Sequence, residues 1–351
     1  MAITSDTDSS RRPLATLIAA NAIALLVFSV AAAGILETFC RVVLDHGMRY
    51  EFEMWRYATE LKVPVVGDPD LPFVHRPNSH ARIMGADVAI NNLGLRDDRE
   101  IALDKPPGTT RILMLGDSVT FGFGVSLAET ASRRLQEALN AGSPAARFEV
   151  LDSGVGNYNT VMEVAYYLKD GQRLHPDIVV LNFFVNDPEP TPVPSSNLLT
   201  RHLLAAVYVN NRMDSVSRWA NGAPGWERYY EGLFDAQRPG WRKAQAAIAA
   251  LKQACDRQGA RLLLVNYPDL HQTEPYPLQS INRAIESVAR NAGIPYLDLT
   301  PAVAGESIPA QLWVHPSDPH PNGRMHARYA QMIHDWLIGS VLPAVERASH
   351  P

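Results

Sequence analysis

A three-layer α/β/α sandwich around a parallel five-stranded sheet, preceded by one membrane-spanning helix, is the architecture this sequence predicts. Three observations point to it. Residues 14–36 carry no charge. From residue 111 onward, short apolar runs alternate with amphipathic stretches of helix length. Each run is apolar at consecutive positions, as parallel strands covered on both faces must be.

The amino end comes first. Leu14 to Leu36 is 23 residues, broken in apolarity only by Thr16, Asn21 and Ser29. At ~1.5 Å rise per residue such a helix reaches roughly 35 Å, enough for a hydrocarbon core of about 30 Å. Arg11 and Arg12 precede it, and Glu37 and Arg41 follow. The positive-inside rule therefore puts a tail of residues 1–13 in the cytoplasm and the rest of the chain in the periplasm or outside the cell. Ala31-Ala32-Ala33 also fits a signal-peptidase site, so a cleaved signal peptide is the competing reading. Ser10-Arg11-Arg12 is followed by Pro13 and Leu14, which suit a twin-arginine signal poorly. Cys40 lacks the small preceding residues a lipidation site needs.

Residues 37 to about 62 read as a helix leaving the membrane, with Phe39, Val43, Tyr50, Met54 and Leu61 at apolar positions. Proline-rich ends then enclose two short strand patterns, Arg82-Ile83-Met84 and Asp87-Val88-Ala89-Ile90, and Asn91-Asn92-Leu93-Gly94 supplies turn chemistry after them. A membrane-proximal unit of residues 37–108 is expected to end at Lys105-Pro106-Pro107-Gly108.

The main domain follows over residues 109–343. Its strands are Ile112–Leu115, Phe148–Leu151, Asp177–Leu181, Arg261–Val265 and Tyr296–Asp298. Its helices begin with a capping box at Ser126-Leu127-Ala128-Glu129 and a face of Leu127, Ala131, Leu135 and Leu139. Others are expected at 160–171, at 241–258 ended by Gly259, and at 280–292 ended by Gly293. A last one opens at Pro321-Asn322. Residues 188–240 interrupt this rhythm with a proline-rich start and Trp219, Trp226, Tyr229 and Tyr230. An insertion at a strand's carboxyl end suits a lid or substrate wall, the alternative being an ordinary surface excursion.

Composition narrows the partners. A formal net charge of −5 offers no basic footprint for nucleic acid, and no nucleic-acid partner is expected. Cys40 and Cys255 are the only cysteines, so there is no CxxC motif, although a single disulfide is open to an exported chain. No metal or other cofactor is required.

Ligands of open parallel sheets bind outside the carboxyl ends of the strands. Three of those ends carry polar residues here: Gly116-Asp117-Ser118, Asp152-Ser153-Gly154 and Val185-Asn186-Asp187. Near the end of the chain lies Ser317-Asp318-Pro319-His320-Pro321-Asn322. A serine hydroxyl needs a base, which His320 can be, and Asp318 can fix the imidazole tautomer. The backbone N–H groups of Ser118 and Gly154 and the side-chain amide of Asn186 can stabilise an oxyanion. Asp117 suits a role in holding the turn.

As a set, Gly-Asp-Ser-x-Thr-x-Gly at 116–122, Gly154, Asn186-Asp187 and Asp318-Pro319-His320 resemble the four blocks of the SGNH/GDSL hydrolase superfamily. The resemblance covers about residues 105–340. It implies a flavodoxin-like fold, Ser118, Gly154, Asn186 and His320 as signature residues, and Asp318 as the third triad member. Asn91-Asn92-Leu93-Gly94-Leu95-Arg96 resembles the membrane-anchored bacterial members. Two departures stand out: Asp318 and His320 are two apart where many members have three, and Val185 replaces the glycine before Asn186.

Other readings of these residues are weaker. His315, Asp318 and His320 are interrupted by Pro316 and Pro319 as a metal cluster. Phe121-Gly122-Phe123-Gly124 lacks a nucleotide-binding pattern. His326 and His334 suit packing or the surface. Trp313 fits either the pocket or the core, and Tyr229 and Tyr230 are similarly open. The expected function is a serine-dependent carboxyl-ester hydrolase acting on O-acylated cell-envelope or exported polysaccharide. An O-acyltransferase with the same triad and a non-catalytic glycan-binding module are the alternatives.

Overall fold

The computed structural model describes residues 14–142, 147–192 and 198–342. The expected tail of residues 1–13, with Arg11 and Arg12, and residue 343 lie outside them, as do residues 193–197 of the insertion. Helix α1 (Leu14–Phe39) buries none of its residues, and the stretch Leu14–Leu44 is long and apolar enough to cross a membrane.

The helix expected over 37–62 is two pieces. After α1 the chain makes a π-turn (Cys40–Leu44), closed by the Asp45 N–H on the Cys40 carbonyl, and Gly47 then takes φ +78°. Helix α2 (Tyr50–Glu60) starts afresh from there. Arg56 ties the break to α2 by bridging Asp45 and Glu53.

Strands β1 (Lys62–Pro64) and β2 (Phe73–His75) pair antiparallel, as do β3 (Ser79–Ile83) and β4 (Ala86–Ile90). Met84 and Gly85, at φ +48° and +76°, make the two-residue turn between β3 and β4. The strands predicted at 82–84 and 87–90 thus exist, with Met84 in the turn.

The main domain runs β5 (Thr109–Leu115), a one-turn helix α3 (Ser118–Phe121), α4 (Ala131–Gly142), β6 (Arg147–Asp152), α5 (Thr160–Lys169) and β7 (Ile178–Phe183). The insertion holds α6 (Leu198–His202), α7 (Leu204–Ala220) and α8 (Trp226–Leu233). Then come α9 (Pro239–Gln258), β8 (Arg261–Asn266), α10 (Gln279–Asn291) and β9 (Tyr296–Asp298). A small hairpin, β10 (Trp313–His315) with β11 (Asp318–Pro321), leads into α11 (Gly323–Trp336). The five parallel strands lie in the order β6-β5-β7-β8-β9.

Why consecutive apolar residues were needed is visible in the packing. Leu113, Leu115, Val179, Leu181, Leu262 and Leu264 face one side and meet α5, α9 and α10. Their neighbours Ile112, Met114, Ile178, Val180, Leu263 and Val265 face the other side and meet α4 and α11. The alternation of side chains along a strand therefore fills two cores at once. The capping box at Ser126 and Glu129 forms, although it starts a 3-10 turn and α4 begins only at Ala131.

A third core joins Tyr57, Leu61, Ile83, Met84, Val88 and Ile90 to Phe121 and Phe123. It seats α2 and the β3–β4 hairpin directly on α3. The insertion is tied to the end of α1: the Glu37 carboxylate accepts the N–H groups of Leu204 and Ala205, capping α7. Cys40 and Cys255 are both buried and free, so the open disulfide does not form.

Candidate active site

Ser118 opens α3 at the carboxyl end of β5. Asp117 caps that helix, its Oδ1 accepting the Val119 N–H at 2.8 Å, which is the turn-holding role its position suggested. Burial pushes the Asp117 carboxyl up to about 6, partly offset by the N–H groups it accepts and by His320.

His320 Nε2 lies 2.8 Å from Ser118 Oγ, and its Nδ1 lies 2.5 Å from Asp318 Oδ1. Asp318 is fully buried and its Oδ1 also accepts the His320 N–H. The two-residue spacing follows from the local backbone. Residues i and i+2 of an extended strand point the same way, and β11 holds Asp318 and His320 on one face. The imidazole packs between Phe123 and Tyr50, at ring-centroid distances of 5.0 and 5.9 Å.

A cavity of about 210 Å³ opens over these groups, lined by Ser118, Asn157, Asn186, Tyr230, His271 and His320 among others. Asn186, expected here, lines the cavity as well, its Oδ1 buried with no partner among the described residues. Asp187 serves the turn beneath, accepting from the Thr160 hydroxyl at 2.9 Å.

Gly154, expected to offer its N–H to the site, is not among the residues that line this cavity. Its N–H donates to Asp152 Oδ1 at 3.0 Å and is committed. A Cβ on it would sit 2.3 Å from the Phe121 nitrogen and 2.9 Å from the Asp117 carbonyl. Gly154 therefore packs behind α3 and lets β6 and the Ser118 turn meet, and the cavity wall passes to Asn157. Asn157 adopts φ +67°, a left-handed conformation that asparagine tolerates better than other non-glycine residues. Its own N–H meets no acceptor among the described residues.

The Gly156–Asn157 turn is held from both sides by residues of α2, β1 and β2. The Gly156 N–H donates to the Tyr57 hydroxyl at 2.7 Å, and Tyr57 lies 2.7 Å from His75 Nε2. Burial drives the His75 pKa down to about 3, so its neutral ring can accept from Tyr57 and offer Nδ1–H to the Gly94 carbonyl at 3.3 Å. On the other side Lys62 Nζ donates to the Gly156 carbonyl at 2.5 Å and to Asn157 Oδ1 at 3.2 Å. Burial lowers the Lys62 pKa to about 7.

Tyr50, Met54, Asn157 and the Asp269–His271 pair were absent from the predicted site. Of these only the last repeats a visible signal, the Asp-x-His spacing of Asp318 and His320. Trp313, left open between pocket and core, packs partly buried on the second core with its Nε1–H on the Leu270 carbonyl. Tyr230 reaches the cavity, whereas Tyr229 bonds Glu189 at the surface. His326 is a packing residue, buried with Nδ1 accepting the Ala131 N–H.

The profile of the GDSL-like lipase/acylhydrolase family matches residues 114–328, well over half of the chain. The chain belongs to this family. The matched GDSL-like region begins in β5 just before Ser118 and ends in α11, so it contains every block of the SGNH/GDSL pattern. Its fold is the SGNH α/β/α sandwich with a parallel five-stranded sheet. No curated protein matches the chain in sequence.

Among solved structures, the chain is similar to a two-domain esterase active on acetylated mannans (19% identity, TM-score 0.43). That match covers 67% of this chain and 50% of that one, so the chain spans half of that esterase's length. It is also similar to TesA (15% identity, TM-score 0.44, covering 65% of this chain and 98% of that one). A third is an acetyl-xylooligosaccharide esterase from Geobacillus Stearmophilus (17% identity, TM-score 0.43, covering 64% and 92%).

Proposed function

We propose that this chain is a serine-dependent carboxyl-ester hydrolase held at the membrane by α1, with its active site on the periplasmic or outer side. The observation that carries the reading is the continuous line from Ser118 Oγ through His320 to the buried Asp318 carboxylate, at 2.8 and 2.5 Å.

Asp318 takes the Nδ1–H of His320 and leaves the Nε2 lone pair facing the serine. Ser118 passes its proton to Nε2 as Oγ attacks the ester carbonyl. The imidazolium, stabilised by Asp318, then returns that proton to the leaving alkoxide, and water attacks the acyl-enzyme by the same route. The developing oxyanion is met by the backbone N–H of Ser118, the backbone N–H of Asn157 in place of that of Gly154, and the Asn186 amide. Tyr230 of α8 makes the insertion, residues 188–240, part of the substrate wall. The membrane-proximal unit of residues 37–108 completes the site through Tyr50 and Asn157's supports. An exported domain facing the cell envelope suits O-acylated polysaccharide as substrate.

The full-length chain in detergent, treated with a fluorophosphonate probe, should carry the label on Ser118, and Ser118→Ala and His320→Ala should abolish it. A folded chain that takes no label would overturn the mechanism and favour a non-catalytic glycan-binding module.

A further inference from the structure

The cavity that holds Ser118 contains a second aspartate–histidine pair. His271 Nδ1 lies 2.9 Å from Oδ1 and 3.0 Å from Oδ2 of Asp269, whose carboxylate is buried and also accepts the His271 backbone N–H at 2.8 Å. This repeats the Asp318–His320 arrangement in spacing and in the backbone bond. The aromatic cover is repeated as well. Trp226 of α8 stacks on the His271 ring at 5.2 Å and 26°, and Trp313 meets it edge-on at 6.1 Å.

The ring is thereby fixed on its face by Trp226 and at one nitrogen by Asp269. Its other nitrogen, Nε2, makes no hydrogen bond among the described residues, and His271 lines the cavity. The triad already supplies a base for the serine, so this second pair is not needed for acyl-enzyme formation. A pre-set, unpaired nitrogen in a substrate cavity is a recognition element.

We propose that His271 is a specificity-determining residue that hydrogen-bonds a hydroxyl on the alcohol side of the ester, so that the cavity selects esters of neutral sugars or other polyols. The assignment rests on the serine-hydrolase reading above. Its chemistry follows from what Nε2 can do. The Asp269 hydrogen bond raises the pKa of His271 above the ordinary imidazole value. Neutral, Nε2 accepts one hydrogen bond; protonated, it donates one. A hydroxyl is the group that answers both. With the Asp269 carboxylate paired beneath it, a protonated His271 is charge-balanced and offers a substrate carboxylate no net charge.

The test compares two probes on the full-length chain in detergent: acetylated xylo-oligosaccharide, which brings further hydroxyls, and p-nitrophenyl acetate, which brings none. In His271→Ala, kcat/KM for the sugar ester should fall at least ten-fold further than for p-nitrophenyl acetate, with KM carrying most of the difference. Asp269→Asn should move the ratio the same way by a smaller factor, because it frees the ring without removing it. Equal losses on both probes would make the pair structural, and no loss on either, or a wild type that cleaves only p-nitrophenyl acetate, would overturn the subsite. Fluorophosphonate labelling of Ser118 in each variant separates the two readings. Label retained with no change in preference sinks only the His271 assignment, whereas an unlabelled wild type sinks the serine mechanism itself.

Discussion

The Tyr57 hydroxyl lies 2.7 Å from the Gly156 nitrogen and 2.7 Å from His75 Nε2, so one buried phenol of residues 37–108 anchors the turn that carries Asn157 on the wall of the Ser118 cavity. Removing that hydroxyl leaves the ring packing against Phe121 and Phe123 intact. Tyr57→Phe should therefore preserve folding while loosening the Asn157 N–H. Complete loss of an oxyanion donor costs about 2.7–4 kcal/mol in kcat. A loosened one should cost less, roughly ten-fold in kcat with KM little changed. Steady-state kinetics on p-nitrophenyl acetate read this directly, and an unaltered kcat would remove Tyr57 from the site's support.

Arg96 carries a different burden. Its guanidinium is buried and donates to the carbonyls of Phe121, Gly122 and Val125, closing the open end of α3 while its plane covers the Phe121 ring at 4.5 Å. In Arg96→Met the Phe121 and Val125 carbonyls would lose their donor, each an unsatisfied group worth about 1–3 kcal/mol, while the Gly122 carbonyl keeps the Val125 N–H. A loss of at least ~2 kcal/mol in urea denaturation is expected. Arg96→Lys should recover only part of it, since one ammonium cannot span three carbonyls in the fork geometry of arginine. Full recovery by lysine would show that charge alone matters here.

What could be read from the chain beforehand divides along physical lines. The five strands were legible because burial on both faces leaves an uninterrupted apolar run, and β7 and β8 could be placed to within a residue or two. Ser118, Asp318 and His320 were legible because local motifs at strand ends carry them. Tyr50 was not: it reaches His320 only because the chain breaks at Gly47 and α2 folds back onto α3, an arrangement no local pattern encodes. The backbone at 157 was not legible for another reason: the block pattern points to the glycine at 154, whereas the left-handed turn falls at 157 and is filled by asparagine.

That distinction can be tested at the two positions separately. Asn157→Gly keeps the left-handed backbone and should leave kcat/KM within about three-fold of wild type. Asn157→Val forces a branched side chain into that conformation, which costs about 1–2 kcal/mol or more and displaces the N–H. Its kcat should drop roughly ten-fold or further. Gly154→Ala should lose both stability and activity, because its Cβ would meet the Phe121 nitrogen at 2.3 Å. Were Asn157→Val to keep full activity, the donor would have to lie elsewhere.

A buried carboxyl beneath the site gives a prediction in pH. Glu163 is 1% exposed and neither of its oxygens has a partner among the described residues. Burial, with the nearby charges of Asp187 and Asp117, pushes its pKa well above the usual carboxylate value. A carboxyl whose folded pKa is raised contributes stability that is fully present at low pH and is lost as pH rises through that value. Glu163→Gln is neutral throughout, and its amide could donate to the unpartnered Asp187 Oδ1. The variant should therefore match wild type at pH 5 and exceed it by about 1–3 kcal/mol at pH 8, the scale of one relieved buried polar group. Urea midpoints at the two pH values decide the matter: an equal gap at both, or a variant weaker at pH 8, would mean that the Glu163 carboxyl is not held protonated in the folded chain.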